Sequence, residues 1–255
     1  MPRVALVTGA ARRIGRAIAL GLAQDGWDIA LHFRDSKTEA DATVNEILAL
    51  GRRAVALQCN LADETAVKAL LARANAALGP VSCVVNNASL FDYDSASDFS
   101  TARLDAHMHA NLAAPILLAQ ALHATTPDGG QSVVINLLDQ KLYNLNPDFL
   151  SYTLSKAALH TATTLLAQAL APKVRVVGIA PGITTISGAQ SEADFAAAHQ
   201  ATPLGRSSTP EDVAASVCYV ASARADWRHL AGRRWPAFDP PATRCNVHRA
   251  VMFTQ

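Results

Sequence analysis

The chain has 255 residues, half of them hydrophobic, which is enough to bury the core of one large α/β domain. Lysine and arginine total 22 against 21 aspartate and glutamate, so the net charge of +1 gives no global field to attract nucleic acid or a membrane surface. The four cysteines and eight histidines form no disulfide or metal-ligand pattern, no apolar run could span a bilayer, and no signal peptide precedes the first strand-like run, so we expect a reduced, cytoplasmic protein without a metal.

Apolar strand-like runs alternate with alanine- and leucine-rich helical stretches along most of the chain. The strand-like runs cover residues 3–8, 27–33, 53–58, 81–86, 132–137 and 173–179. The helical stretches cover residues 12–24, 36–50, 63–78, 101–124 and 152 to about 171, and a further helix starts at Thr209-Pro210. This alternation predicts a single-domain α/β protein, with a doubly wound parallel sheet flanked by helices, over residues 1–223.

The composition changes after residue 223. Residues 224–255 contain six arginines, no lysine and two aspartates, a net charge of +4. They show no clear helical or strand periodicity, and no linker separates them from the preceding helix. We therefore interpret residues 224–255 as an atypical C-terminal tail and predict no second domain.

The first strand runs into a glycine-containing loop that opens a helix. In VALVTGAARRIG, residues 4–15, Gly9 permits a tight turn, and Gly15 lets a pyrophosphate approach the N-terminus of the helix closely. The spacing differs from the common dinucleotide fingerprint GxGxxG. Its position between the first strand and a helix nevertheless predicts a nucleotide site.

The charges around this loop predict which nicotinamide cofactor binds. NAD-selective sites place an acid at the end of the second strand, whereas this strand ends in LHFRDS, with His32 and Arg34. Arg12 and Arg13 stand in the glycine loop, so three arginines suit the 2′-phosphate of NADPH. Asp35 argues against this because it lies just beyond the expected acid position, and we interpret it as solvated. A solvated surface charge is also the alternative role for Arg12.

A candidate proton relay follows the fifth strand. Tyr152 and Lys156 are four residues apart in a helix-friendly stretch, so their side chains share one face. An ammonium beside a phenol favours the phenolate, which predicts a lowered pKa for Tyr152 and a proton donor usable near neutral pH. Asp139 follows the apolar run of residues 133–138 and places a carboxyl group at this strand end.

Five ordered motifs together resemble the short-chain dehydrogenase/reductase family over about residues 3–222. They are TGAARRIG at residues 8–15, NNAS at residues 86–89, Asn111 in a long helix, YTLSK at residues 152–156 and Ala180-Pro181-Gly182. The resemblance implies a Rossmann-type fold. Three features further resemble the pteridine reductases and the bacterial dihydromonapterin reductases: the arginine-containing loop, the strand end LHFRDS, and Asp139 where most relatives carry a catalytic serine.

The resemblance implies an NADPH-dependent reductase of a 7,8-dihydropterin such as dihydromonapterin, dihydrobiopterin or dihydrofolate, assembled as a homotetramer or homodimer. Lys156 would bind the nicotinamide ribose and tune Tyr152. Asn111 would hold a water that links the Lys156 side to solvent. Asp139, hydrogen-bonded to Tyr152, would help to protonate a ring nitrogen while hydride reaches the adjacent carbon. The implied catalytic residues are therefore Asp139, Tyr152, Lys156 and Asn111.

The implied binding residues extend along the carboxyl ends of the strands. Those for the cofactor are Gly9, Arg13, Ile14, Gly15, His32, Arg34, Ser36, Asn60, Leu61, Asn87, Ala88, Ser89, Lys156, Pro181 and Gly182, and Asn86 is expected in the same trough. Those for the substrate are Ser89, Phe91, Asp139 and Tyr152, with the ring of Phe91 stacked on the pterin. Asn60 stands where the family usually has aspartate, so it keeps an acceptor near the adenine but loses the charge. Residues 183–202 would form a substrate lid.

Other interpretations of the same residues stay open. The nearest alternative activity is reduction of a ketone or aldehyde, and a second alternative is a non-catalytic NADP-binding protein. Asp139 disfavours carbonyl reduction, because an ionised carboxylate would repel the negative charge that develops on a carbonyl oxygen. Hydrogen bonding to backbone within its helix is the alternative role for Asn111, and core packing is that for Phe91. The spacing of Tyr93 and Tyr143 leaves open whether either reaches the substrate.

The C-terminal tail departs from the family pattern. The motif TG-x-x-x-x-VDGG, which normally supplies the last strand and part of a subunit interface, is absent after residue 223. Its absence predicts an unpaired edge on the strand over residues 173–179. One explanation is a reading-frame shift, because codons permitted by residues 226–229 and 232–235 give TGAI and AVDG when read one base later. The other explanation is a divergent tail that makes contacts of its own.

Overall fold

The computed structural model describes residues 3–186, 191–200, 202, 206–222 and 251–254. These residues contain one parallel sheet with the strand order β3-β2-β1-β4-β5-β6-β7. Its strands are β1 (Arg3–Val7), β2 (Trp27–Phe33), β3 (Ala54–Gln58), β4 (Val81–Asn86), β5 (Ser132–Leu137), β6 (Val174–Pro181) and β7 (Val251–Thr254). The order reverses between β1 and β4, and such a switch point leaves a crevice at the carboxyl ends of the strands. The predicted doubly wound sheet is thereby confirmed.

Helices cover both faces of this sheet, as the alternating sequence pattern predicts. They are α1 (Arg13–Gln24), α2 (Lys37–Ala49), α3 (Glu64–Leu78), α4 (Thr101–Met108), α5 (Ala114–Thr125), α6 (Leu150–Ala169), α7 (Glu192–Gln200) and α8 (Pro210–Ala221). A π-helical turn at His109–Ala113 joins α4 to α5, so the single helix expected over residues 101–124 is continuous but locally widened. Helix α7 lies within the expected lid, where the sequence pattern predicted no helix.

The core is divided between the two faces because successive strand residues point to opposite sides. Ala5 and Val7 pack with α1, α2 and α8, whereas Val4 and Leu6 pack with α3 and α5. Strands buried on both faces are nearly continuously apolar, which is why they read clearly from the sequence. Helix α8 starts where predicted, at a capping box in which the Thr209 hydroxyl accepts from the backbone N–H of Asp212 and the Asp212 carboxylate accepts from that of Thr209.

The prediction that β6 ends the sheet with an unpaired edge is wrong. The backbone of Val251–Thr254 runs parallel to β6 and pairs with residues 178–181. A short segment of the tail therefore occupies the place of the missing family strand, although its composition showed no strand periodicity. Residues 223–250, on which the frame-shift hypothesis rests, lie outside the described residues. Among the described helices, none combines the length and apolar character that a membrane crossing requires.

Candidate active site

One cleft of about 1040 Å³ opens at the carboxyl ends of the strands, where the switch point predicts a ligand. Its walls come from the glycine loop, the ends of β2, β4, β5 and β6, and the start of α6. Nearly all the residues expected to bind cofactor or substrate line it: Gly9, Arg13, Ile14, Gly15, His32, Arg34, Ser36, Asn60, Leu61, Asn87, Ala88, Ser89, Phe91, Asp139, Tyr152, Lys156, Pro181 and Gly182. Two expected residues, Asn86 and Asn111, do not line it.

The glycine loop is held by its own close packing. Gly9 has a φ of +63°, the left-handed conformation that glycine adopts without strain. A Cβ on Gly15 would lie 2.2 Å from the Gly9 carbonyl oxygen and 2.5 Å from the Asn87 side-chain nitrogen. That nitrogen donates to the carbonyl oxygens of Thr8 (2.9 Å) and Gly9 (3.2 Å). Close packing against the Gly9 carbonyl and the Asn87 side chain therefore requires glycine at residue 15, whether or not a pyrophosphate binds there.

His32 lines the cleft but is committed to the protein frame. The backbone N–H of Gly9 donates to Nδ1 over 3.1 Å, which leaves Nε2 to donate to the Cys59 carbonyl over 3.0 Å. The ring is 2% exposed, and this burial lowers its pKa to about 4. His32 is therefore a neutral brace between the glycine loop and the end of β3, and its expected role in binding the cofactor stays a prediction.

The three arginines differ in what they contact. Arg34 donates to the Asp35 carboxylate over 2.6 Å, and the Asp35 side chain is 72% exposed, as its predicted solvated role requires. Arg12 lies 3.8 Å from Glu39. Arg13 reaches across the cleft and donates to the Thr185 hydroxyl and the Ile186 carbonyl in the segment after β6. Arg12 and Arg34 are largely exposed, with side-chain exposures of 62% and 64%, and both face the cleft.

Asp139, Tyr152 and Lys156 meet as predicted at the end of β5. The Tyr152 hydroxyl donates to Asp139 Oδ2 over 2.5 Å, and the backbone N–H of Lys141 donates to Oδ1 over 2.7 Å. The Lys156 ammonium donates to the Leu137 carbonyl over 2.7 Å and lies 5.8 Å from the centre of the Tyr152 ring. Tyr152 and Lys156 are both buried on α6.

The ionisation of this group differs from the expectation for an isolated Tyr/Lys pair. Burial, and then the charge and hydrogen bond of Asp139, raise the pKa of Tyr152 well above its ordinary value. The prediction that Lys156 lowers this pKa is wrong for these surroundings. Burial lowers the pKa of Lys156 itself to about 8, against the opposing effect of Asp139. Tyr152 therefore remains a protonated phenol at neutral pH.

Asn111 lies in the π-helical turn and is buried beside the cleft. Its side-chain oxygen accepts from the Leu90 N–H (2.7 Å), and its nitrogen donates to the Leu90 carbonyl (2.9 Å) and to the Ser155 hydroxyl (2.9 Å). Asn111 thus bonds to the backbone of the loop after β4 and not to backbone within its own helix, as the alternative role supposed, and the water relay stays a prediction. Asn86, expected in the cofactor trough, instead donates to Asn136 across β4 and β5, so Asn87 takes its place in the cleft wall.

An aromatic cluster forms the outer wall of the cleft beside Tyr152. Phe91 is 37% exposed, stacks on Phe149 at 4.2 Å and 15°, and meets the ring of Tyr152 edge-on at 4.5 Å. Tyr93 packs edge-on against Phe149 at 5.1 Å, whereas Tyr143 packs against His160 at 6.1 Å. Phe91 is thus a cleft residue and not a core residue.

Sequence reasoning missed Phe149. An available signal was its position three residues before Tyr152, since residues with this spacing lie on one side of a helix start. Phe149 has a φ of 56°, a left-handed conformation that is strained for a bulky residue. Backbone strain of this kind tends to occur where surrounding contacts hold a functional segment in place.

Comparison with known proteins gives a consistent picture. A family model described as short chain dehydrogenase matches residues 3–196. The chain is 32% identical over 234 residues to an uncharacterized oxidoreductase of Methylorubrum extorquens, covering 88% of this chain and 92% of that protein. It is 31% identical over 230 residues to the 3-oxoacyl-(acyl-carrier-protein) reductase FabG of Staphylococcus aureus, covering 89% and 94%. The crystal structure of FolM alternative dihydrofolate reductase 1 from Brucella canis, complexed with NADP, is 40% identical with a TM-score of 0.82, covering 85% of this chain and 86% of that chain.

Proposed function

The chain belongs to the short-chain dehydrogenase family, and we propose that within this family it reduces the ring of a 7,8-dihydropterin. Dihydromonapterin, dihydrobiopterin and dihydrofolate are the proposed substrates. The protein is an oxidoreductase, as its family and its full-length oxidoreductase relatives establish.

NADPH is the cofactor, and the cleft fits it. The Brucella canis relative binds NADP in a structure that overlaps 85% of this chain. Arg13, Ile14 and Gly15 line the cleft at the start of α1, and a helix N-terminus favours binding of a phosphate. Arg12 in the glycine loop and Arg34 just after β2 both line the cleft with exposed side chains, and their guanidinium groups supply the cations that a 2′-phosphate needs. When bound, NADPH supplies the hydride.

The single observation that carries the substrate proposal is the hydrogen bond from Tyr152 to Asp139. Reduction of a C=N bond requires a proton on the ring nitrogen as hydride reaches the adjacent carbon. The phenol and the carboxyl group, 2.5 Å apart, form a relay that can deliver this proton and be refilled. A carbonyl substrate develops negative charge on oxygen instead, and the Asp139 carboxylate would repel that charge.

The aromatic wall supports a flat substrate. The ring of Phe91 is partly exposed, and its centroid lies 4.5 Å from that of the Tyr152 ring. A planar heterocycle held against Phe91 therefore lies within reach of the proton relay. The name of the Brucella canis relative, a dihydrofolate reductase, supports the same substrate class. The Staphylococcus aureus relative is named as a reductase of an oxoacyl group, so carbonyl reduction is the competing outcome of the test.

The test is NADPH oxidation by the purified protein with the three dihydropterins and, separately, with simple ketones. We expect turnover of a dihydropterin, and we expect Asp139→Ser to lower its kcat/KM by about 10²-fold because the proton relay is broken. Asp105→Ser, an exposed aspartate on α4, is the matched control and should leave kcat/KM unchanged.

Two outcomes would contradict the proposal. Turnover of ketones alone, improved by Asp139→Ser, would identify a carbonyl reductase. Tight NADPH binding without turnover of any substrate would identify a non-catalytic binding protein.

We also propose a cytoplasmic homodimer or homotetramer. Leu154 and Leu165 on α6 are 46% and 59% exposed, and a second copy would cover these large apolar side chains. Light scattering on the purified protein tests the assembly, and a monomer at assay concentration would contradict it.

A further inference from the structure

The loop after β4 approaches the active site as an extended strip with alternating contacts. Leu90 is held through its backbone by Asn111, and the backbone N–H of Asp92 donates to His107 Nε2 over 3.3 Å. Phe91 and Tyr93, between these anchors, place their rings in the aromatic wall. Leu90 and Asp92 therefore attach the backbone of the strip, Phe91 and Tyr93 contribute rings to the aromatic cluster with Phe149, and residues 90–92 line the cleft.

The third anchor of this strip is Asp94, whose side chain is completely buried. Asp94 Oδ1 accepts from the backbone N–H of Ser151 over 2.9 Å, and Oδ2 accepts from the Ser151 hydroxyl. The Asp94 carbonyl also accepts from the backbone N–H of Leu150 over 3.2 Å. Three hydrogen bonds thus join this one residue to the start of α6, which is more than fifty residues away in the sequence.

These bonds supply hydrogen-bond acceptors that the start of α6 lacks. The first N–H groups of a helix have no acceptor within the helix, and a side-chain oxygen at the N-cap position usually supplies one. The N-cap residue of α6 is Phe149, which has no such oxygen and makes no side-chain cap. Asp94 supplies the acceptors from another part of the chain, and its negative charge lies at the positive end of the helix dipole.

Ser151, which donates to this cap, immediately precedes Tyr152 in the first turn of α6. We propose that Asp94 is a positioning residue for the reduction: it fixes the height and rotation of the first turn of α6, and so sets Tyr152 against Asp139 and against the ring of Phe91. The inference deepens the proposed function, on which it rests. Asp94 touches neither the reacting atoms nor the cofactor loop, so its effect should appear in the chemical step and not in NADPH affinity.

The experiment compares Asp94→Ala and Asp94→Asn with Asp98→Asn, an exposed aspartate of the same loop that accepts from Ser95. Steady-state kinetics use whichever substrate the wild type reduces, so failure of the pterin proposal leaves this test intact. We expect Asp94→Ala to lower kcat by about 10–100-fold, since a misplacement of about 1 Å can cost 10²-fold, with the NADPH Kd within about twofold of wild type.

Asp94→Asn should restore kcat to within about fivefold of wild type, because its amide oxygen still accepts from the Ser151 N–H. Hydrogen exchange over residues 150–156 needs no substrate; it should rise in Asp94→Ala and not in Asp98→Asn. If Asp94→Ala does not fold, Ser151→Ala removes only the hydroxyl bond and should lower kcat by at least about threefold. A wild-type kcat in the folded variant would overturn the inference, as would a loss of NADPH affinity in parallel with kcat.

Discussion

His32 and Lys156 are buried ionisable side chains in the cleft wall, and burial moves both towards their neutral forms. Lys156, with a pKa of about 8, still carries most of its charge at neutral pH and donates to the Leu137 carbonyl. His32, with a pKa of about 4, is neutral, and its Nδ1 accepts from the Gly9 N–H. Protonation of Nδ1 would remove that acceptor and release the glycine loop.

This geometry predicts how the stability of the protein depends on pH. The folded state binds a proton at His32 only near pH 4, whereas the unfolded state binds it near the ordinary value of 6.5. Because the unfolded state binds more protons between these values, the contribution of His32 is complete above 6.5 and is lost as the pH falls towards 4. We expect the free energy of unfolding to drop by on the order of 3 kcal/mol from this residue.

Urea unfolding of the wild type and His32→Gln, followed over this pH range, measures the effect. His32→Gln should be less stable near neutral pH but should lose less stability on acidification. His123→Gln on α5, away from the glycine loop, is the control and should follow the wild type. Parallel curves for wild type and His32→Gln would contradict the prediction.

At the residue scale, local spacing predicted the meeting of Asp139, Tyr152 and Lys156, because a strand end and one helix face place them together. It did not predict Asp94 or Phe149, whose roles depend on contacts across the fold. The pKa of Tyr152 was predicted in the wrong direction for a similar reason: the sequence shows a neighbouring lysine, but it does not show burial or where the ammonium donates.

At the element scale, the tight fit of α1 against the loop before it limits which residues can replace Gly15. Gly15→Ala places a Cβ 2.2 Å from the Gly9 carbonyl oxygen, so the start of α1 must shift. We expect a loss of about 1–3 kcal/mol of stability from overpacking. We also expect the KM for NADPH to rise at least about tenfold, because the N–H groups at this helix start are displaced.

Gly21→Ala in the same helix is the matched control. Its Cβ would lie 3.3 Å from the Ala214 Cβ, a contact that a small shift relieves, and alanine gains about 1 kcal/mol of helix propensity. Thermal unfolding and NADPH kinetics should therefore separate the two variants. Equal behaviour would show that the glycine loop tolerates a side chain at residue 15.

The sequence predicted the ends of helices and strands where one period of hydrophobic residues, helical or strand-like, dominated the segment. Strands buried on both faces and helices with caps, such as α8, were placed to within about two residues. The π-helical turn at His109–Ala113 and helix α7 were not predicted. The π-helical turn keeps helical periodicity nearly intact, and α7 has a composition of small and polar residues that also suits a loop.

At the scale of the whole molecule, the tail decides how the sheet ends. The sequence pattern predicted an open edge at β6, because the TG-x-x-x-x-VDGG motif is absent from residues 224–255, yet four of these residues pair with β6. A four-residue edge strand needs backbone groups more than it needs an alternating side-chain pattern. We retain the frame-shift hypothesis as a proposal about residues 224–255. Gene sequencing tests it: a frame that cannot encode TG and VDG one base on would exclude it.

The role of β7 itself is tested by removing residues 251–255. Without this strand, the backbone groups of residues 178–181 on β6 lose their hydrogen-bond partners on β7, and this edge of the sheet is open to a second molecule. We expect the loss of a few hydrogen bonds, each worth about 1 kcal/mol, to lower the Tm by at least about 5 °C. Self-association should increase with protein concentration, and the KM for NADPH should rise because β6 carries Pro181 into the cleft wall.

Removal of Gln255 alone leaves the pairing intact and should change none of these properties. A shortened protein with the wild-type Tm and the wild-type oligomeric state would show that β6 does not depend on this strand.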